Sequence, residues 1–174
     1  MLSGRSDVQE LFKQLFKHLR CVELVYWKPR RRSSHNREPT NAVVGVTNYD
    51  RCRDVYYLIG EVDDKKRVWE VWKKMGREVV MVVETRKGYH FYTAVENANP
   101  LKIAHLSVGV GFDRGFCKLP FIRYRFSNSK RSSYLVLRVS PKYREPDLRV
   151  LYYDPDYAYP WHTQVLVLLL MLNR

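Results

Sequence analysis

The chain has 174 residues, about the length of one domain, and its 31 Lys and Arg against 18 Asp and Glu give a formal charge of +13. A content of 45% hydrophobic and 14% aromatic residues excludes wholesale disorder; three cysteines, Cys21, Cys52 and Cys117, are too few for a disulfide scaffold; the charged stretch Met1–Arg20 is not a secretory leader, and the longest apolar run, Val165–Leu172, is too short to span a bilayer. The expectation is one basic domain over 1–174, intracellular and cytoplasmic, with no membrane partner and a charge suited to nucleic acid or nucleotide polyphosphates.

In chain order, Val8, Leu11, Phe12, Leu15, Phe16 and Leu19 form a stripe that predicts a helix. Lys28 to Asn41 is a basic loop carrying Arg30, Arg31, Arg32 and Arg37, open to a nucleic-acid backbone or simply to solvent. Ala42–Val46 and Val55–Val62 read as strands, Lys65–Arg77 as a helix, and Glu78–Val83 and Tyr89–Val95 as strands joined at Gly88. Asn99-Pro100 opens a short helix to about His105. Val108–Phe112, Phe121–Phe126 and Tyr134–Val139 read as strands, Ser140–Pro160 as loop, and Trp161–Asn173 as a helix apolar almost all round, suited to burial or to a protein partner or dimer contact. The pattern predicts an α+β fold, a mostly antiparallel or mixed sheet with flanking helices.

The charge is uneven. Gly115–Arg144 holds no acid, eight Lys or Arg, and interleaved Phe and Tyr, a pattern that suits a surface tracking phosphates and stacking on bases. Within it, alternation puts Arg123 and Arg125 on one face of the expected strand, with Lys142 further on.

Three short motifs carry the chemistry. Glu61-Val62-Asp63 ends the strongest strand, and residues two apart on a strand face the same way. Paired carboxylates repel unless a cation lies between them, which suits Mg²⁺ or Mn²⁺. Asp63 or Asp64 is equally placed to cap the helix that follows. Thr85-Arg86-Lys87-Gly88-Tyr89-His90 sets an imidazole behind a turn with two cations, a combination for phosphate. Phe112-Asp113 supplies the only acid between Glu96 and Glu145, with pairing to Arg114 or Arg123 as the alternative.

These motifs, in this order and element context, resemble the archaeo-eukaryotic primase superfamily over roughly residues 55–142. The first acid there is usually Asp, where this chain has Glu61; Thr85 or Gly88 stands for the Ser of the second motif; Asp147 and Asp154 are later candidates for the third acid. The resemblance implies a primase-like (RRM-like) catalytic core making primers for DNA replication on a single-stranded DNA or RNA template from nucleoside triphosphates. Glu61, Asp63 and Asp113 would be the catalytic and metal-binding acids, holding two Mg²⁺ or Mn²⁺ ions. Arg86, Lys87, His90, Arg123, Arg125 and Lys142 would meet the nucleotide, and Arg30, Arg31, Arg32 and Arg37 the template. Alternatives from the same residues are a non-catalytic nucleic-acid-binding subunit and a metal-dependent nuclease.

Overall fold

The structure, a computed structural model, describes residues 17–29, 40 and 42–174. Most of the helix expected over Val8–Leu19, and the loop residues Arg30, Arg31, Arg32 and Arg37, lie outside the described residues.

Among the described residues the fold is α+β, with two antiparallel sheets and four α-helices. The first sheet has the order β1-β2-β7, from β1 (Leu24–Trp27), β2 (Val43–Thr47) and β7 (Val136–Arg138). The second has the order β3-β4-β6-β5-β8, from β3 (Tyr49–Asp50), β4 (Val55–Val62), β5 (Val79–Glu84), β6 (Tyr89–Asn97) and β8 (Arg149–Tyr153). Because β4 and β5 each pair antiparallel with β6, they run parallel to one another. The connection between them carries α1 (Val68–Met75), which makes a split β-α-β unit. Val79–Val83 of β5 are all buried, so the β-branched run is covered on both faces.

Asn48 joins the two sheets. Its side chain donates to Tyr57 O and accepts from Leu135 N–H, each at 2.8 Å. Its main chain donates to Leu135 O and accepts from Tyr57 N–H, each at 2.9 Å. A wholly buried amide with every one of these polar groups paired fixes the angle at which β2 leaves one sheet and β4 enters the other.

The other helices are α2 (Pro100–Gly109), α3 (Arg114–Ser127) and α4 (Pro160–Leu172). Asn99 caps α2 as expected, its Oδ1 accepting from Leu101 N–H at 3.1 Å. On α4, Trp161, His162, Val165, Leu168 and Leu169 are buried, while Val167 and Leu170 face solvent. His162 accepts from Tyr159 N–H at Nδ1, its Nε2 meets Thr93 O at 2.8 Å, and Tyr57 packs on its ring.

Three expected elements are corrected. Val108–Phe112 is no strand: α2 runs on to Gly109, and the chain turns through Gly111 at φ +90°, a conformation that favours glycine. Phe121–Phe126 is not a strand but the second half of α3. The buried positions Phe116, Cys117 and Pro120 recur at three and four residues, the helical period, and the apparent alternation from 121 to 126 is the exposed flank of that helix. Pro120 lies inside this helix, which continues past it to Ser127. The segment 140–160 is not all loop, because β8 adds to the edge of β5 there. No helix among the described residues is long and apolar enough to cross a membrane.

The cysteines build no scaffold but do make one crosslink, Cys21–Cys52, with Cys117 free and buried. It ties the chain ahead of β1 to the β3–β4 turn. Closing a separation of 31 residues restricts the unfolded chain by about 3–4 kcal/mol at 25 °C. Reduction, or Cys52→Ser, is expected to lower the Tm by about 10 °C, read by thermal melts with and without a thiol reductant. An unchanged Tm would mean that the crosslink adds nothing to stability.

Candidate metal and phosphate cleft

The end of β4 sits against two glycine contacts that position three acids. A Cβ on Gly60 would lie 2.1 Å from the Phe112 ring, so only glycine lets Phe112 pack flat on β4. That packing delivers the next residue, Asp113, to the strand end. Asp113 N–H donates to Glu61 O at 2.9 Å. Asp113 Oδ2 accepts from Asp63 N–H at 2.7 Å. Arg67 braces the same turn, donating to Gly111 O at 2.7 Å with its guanidinium 3.8 Å from Asp113 Oδ1.

The second contact is the turn before β6. Thr85 N–H donates to Gly88 O at 2.8 Å, and Gly88 N–H returns to Thr85 Oγ1 at 3.0 Å. This closed turn lies on the main chain of β4: a Cβ on Gly88 would fall 1.7 Å from Val62 O. Arg86 and Lys87 are thereby exposed beside the acids.

Glu61, Asp63 and Asp113 converge, with one carboxylate oxygen of each within 4.8 Å of the others. Asp64, not Asp63, caps the following helical turn, accepting from Lys66 N–H at 2.9 Å, which leaves the Asp63 carboxylate to the cluster. The Glu61 carboxyl is pushed up to about 7, by burial first and then by the charges of Asp63 and Asp113, while Lys142 and Arg138 oppose the shift. Burial also raises Asp113, against the Asp63 N–H that favours its charged form. Three hard oxygen ligands that repel one another when ionised fit Mg²⁺ or Mn²⁺, whose charge would remove the repulsion.

His90 lies across from Glu61 in the β4–β6 register, its Nε2 3.7 Å from Glu61 Oε2. Burial, then the Arg138 charge, lowers it to about 3. The imidazole is therefore neutral near pH 7, and this contact is not an ion pair. Its Nδ1 is buried and has no hydrogen-bond partner among the described residues.

The three acids, His90 and the Thr85–Lys87 turn line one cleft of about 930 Å³. The expected residues Glu61, Asp63, Asp113, Arg86, Lys87, His90 and Lys142 meet there. Arg123 and Arg125 do not line it. Arg123 turns inward on α3, stacks 4.4 Å from the Tyr134 ring centroid and donates to Tyr134 O. Arg125 is exposed on the same helix. The physical reason is the helix itself, which sends neighbouring odd-numbered residues in different directions. Asp147 also reaches the cleft, but it is held by Arg138 in a bidentate pair at 2.7 and 2.8 Å. Asp154 does not line the cleft.

Sequence reasoning missed Trp27, which enters from β1, and the Arg138–Asp147 pair that stiffens the far wall. An Arg and an Asp nine residues apart carry no local signal, whereas Trp27 beside the basic run could have been singled out. The chain matches no family model, and no curated protein or solved structure matches it.

The raised Glu61 carboxyl has a pH consequence. Its folded value of about 7 lies above its ordinary 4.5, so its contribution to stability is complete below pH 4.5 and is lost as pH rises through 7. A divalent cation bound to the ionised form reverses that loss. The Tm gain on adding Mn²⁺ is expected to grow from pH 5 to pH 8, and a gain independent of pH would place the cation elsewhere.

Proposed function

We propose that the protein is a metal-dependent nucleotidyltransferase of the primase-polymerase kind, extending a strand on a single-stranded template. The observation that carries this reading is the convergence of Glu61, Asp63 and Asp113 on a floor walled by Lys28, Arg86, Lys87, Arg138 and Lys142. A divalent ion held by the acids supplies Lewis-acid stabilisation of the in-line displacement at phosphorus. The chain's own groups do the rest. Arg86 and Lys87, held out by the Thr85–Gly88 turn, meet the triphosphate oxygens of the incoming nucleotide. Neutral His90, whose Nε2 lies 3.7 Å from Glu61 Oε2, offers that nitrogen to the phosphate chain. Arg138, fixed by Asp147, and Lys142 offset the negative charge that develops as pyrophosphate leaves.

The split β-α-β of β4, α1, β5 and β6 supports an RRM-like core, with the acids at the end of its first strand. It departs from that pattern at its edges: the two-residue β3 lies beside β4, and β8 extends the β5 side. A nucleic-acid substrate implies an intracellular site of action, and a retained Cys21–Cys52 bond there has its precedent among intracellular proteins of hyperthermophiles. Magnesium or manganese would be the cofactor, and nucleoside triphosphates and a DNA or RNA template the partners.

The test is product length on a labelled single strand with nucleoside triphosphates and Mn²⁺. Growth supports the proposal. Shortening would make the same acids those of a nuclease. Unchanged strands, bound in a salt-sensitive way, would make the chain a non-catalytic subunit of a replication or repair complex.

A further inference from the structure

A second cleft, of about 360 Å³, lies at the opposite end of β4 and plays no part in the chemistry above. It is lined by Glu23, Tyr49, Arg51, Tyr56, Arg131 and Tyr134. Three tyrosines and two arginines around one small concavity are the elements of a site that stacks bases and neutralises phosphates. The tyrosines are held in place. Tyr49 and Tyr56 pack with ring centroids 5.0 Å apart, and the Tyr49 hydroxyl donates to Asp54 at 2.7 Å. Tyr134 is backed by the Arg123 guanidinium.

Among the described residues the two arginine side chains are uncommitted. Arg51 and Arg131 are exposed, and neither side chain makes a hydrogen bond or ion pair among the described residues. Arg51 is nonetheless anchored through its backbone, whose N–H donates to Cys21 O at 2.9 Å beside the Cys21–Cys52 crosslink. Arg131 is close enough for its charge to act on both Tyr49 and Tyr56. Glu23, the single acid in the lining, offers an acceptor for an exocyclic base amine.

We propose that this cleft holds the single-stranded template upstream or downstream of the carboxylates, stacking a base on the tyrosines while Arg51 and Arg131 take the adjoining phosphates. Tyr56 and Glu61 are five residues apart on one strand and so point to opposite faces of the sheet, which makes the separation of about 17 Å along the strand a lower bound on the path between the clefts. At about 3.4 Å per stacked nucleotide that is about five nucleotides. A strand must exceed this length to touch both clefts. The proposal rests on the nucleic-acid reading above but not on its chemistry.

The test is binding of labelled single strands of about 4 and about 16 nucleotides, without metal or triphosphate, over a range of salt. The wild type is expected to favour the longer strand. Arg51→Ala with Arg131→Ala is expected to weaken binding of the longer strand at least tenfold. It should also reduce the slope of log affinity against log salt by about 1.4, since two phosphates are no longer neutralised. Tyr49→Leu is expected to cost about tenfold at unchanged slope. The same variants should weaken the 4-nucleotide strand less, because that strand can still occupy the carboxylate cleft. Unchanged affinity and slope in the double variant, in a protein whose wild type binds and extends strands, would overturn this proposal alone. Displacement of the long strand from the tyrosines by millimolar mononucleotide would also overturn it, making the cleft a nucleotide pocket. A wild type that binds no single strand would overturn it together with the reading it rests on.

Discussion

Asp63→Ala is expected to reduce metal-dependent incorporation of nucleotides by a thousandfold or more while leaving the fold intact. The carboxylate is exposed and caps no helix, because Asp64 does that. The hydrogen bond that Asp63 gives to Asp113 comes from its backbone N–H, so alanine keeps it and Asp113 stays in place. The loss is therefore confined to one of three cation ligands. A cation seat contributes several kcal/mol to a phosphoryl-transfer transition state, and each 1.36 kcal/mol is tenfold in rate. Single-turnover incorporation, beside matched circular dichroism and Tm values, reads the effect. Asp113→Asn should be nearly as damaging to incorporation without lowering the Tm, because the Asn Oδ1 can still accept the Asp63 N–H and loss of the charge relieves the burial and repulsion that push the Asp113 carboxyl up.

Gly88→Ala should damage both stability and the cleft, although it adds only a methyl group. The added carbon would meet Val62 O at 1.7 Å and Asp63 Cα at 2.9 Å. These are backbone atoms, so no rotamer change relieves the clash; the Thr85–Gly88 turn or the end of β4 must move. Overpacking of this kind costs about 1–3 kcal/mol and occasionally more, and here the upper end is expected. Movement of either element also shifts Arg86 and Lys87 relative to the acids. The variant should melt about 5–10 °C below wild type, bind Mn²⁺ weakly, and incorporate nucleotides at a small fraction of the normal rate. A fully active, equally stable Gly88→Ala protein would show that this packing does not set the site.

Apart from the two-residue β3, the strands and the helix from Val43 to Asn97 were legible because local signals agree there. The β-branched run 55–62 is bounded by an Asp cap, the next helix shows its period through Val68, Val71 and Met75, and a glycine turn joins β5 to β6. Legibility failed at Phe121–Phe126, where Arg and aromatic residues alternate by chance along the exposed flank of α3, and where Pro120 looks like a break. β8 was hidden because its pairing depends on the distant β5, and β1 because it is four residues long. In the site, Glu61 and Asp63 were legible from strand alternation. Asp113 reaches them through the Gly60–Phe112 contact, which joins residues far apart in the chain and leaves no periodic trace. The Arg123–Tyr134 contact is tertiary in the same sense, and it removes Arg123 from the cleft where an extended strand would have left it.

The most direct test of the central claim is incorporation of labelled nucleotides on a single strand of known sequence, with Mn²⁺ or Mg²⁺, comparing wild type with Asp63→Ala. The account requires products in the wild type that depend on metal and obey the template's complement, and that vanish in the variant. Products of equal yield from both proteins would contradict it.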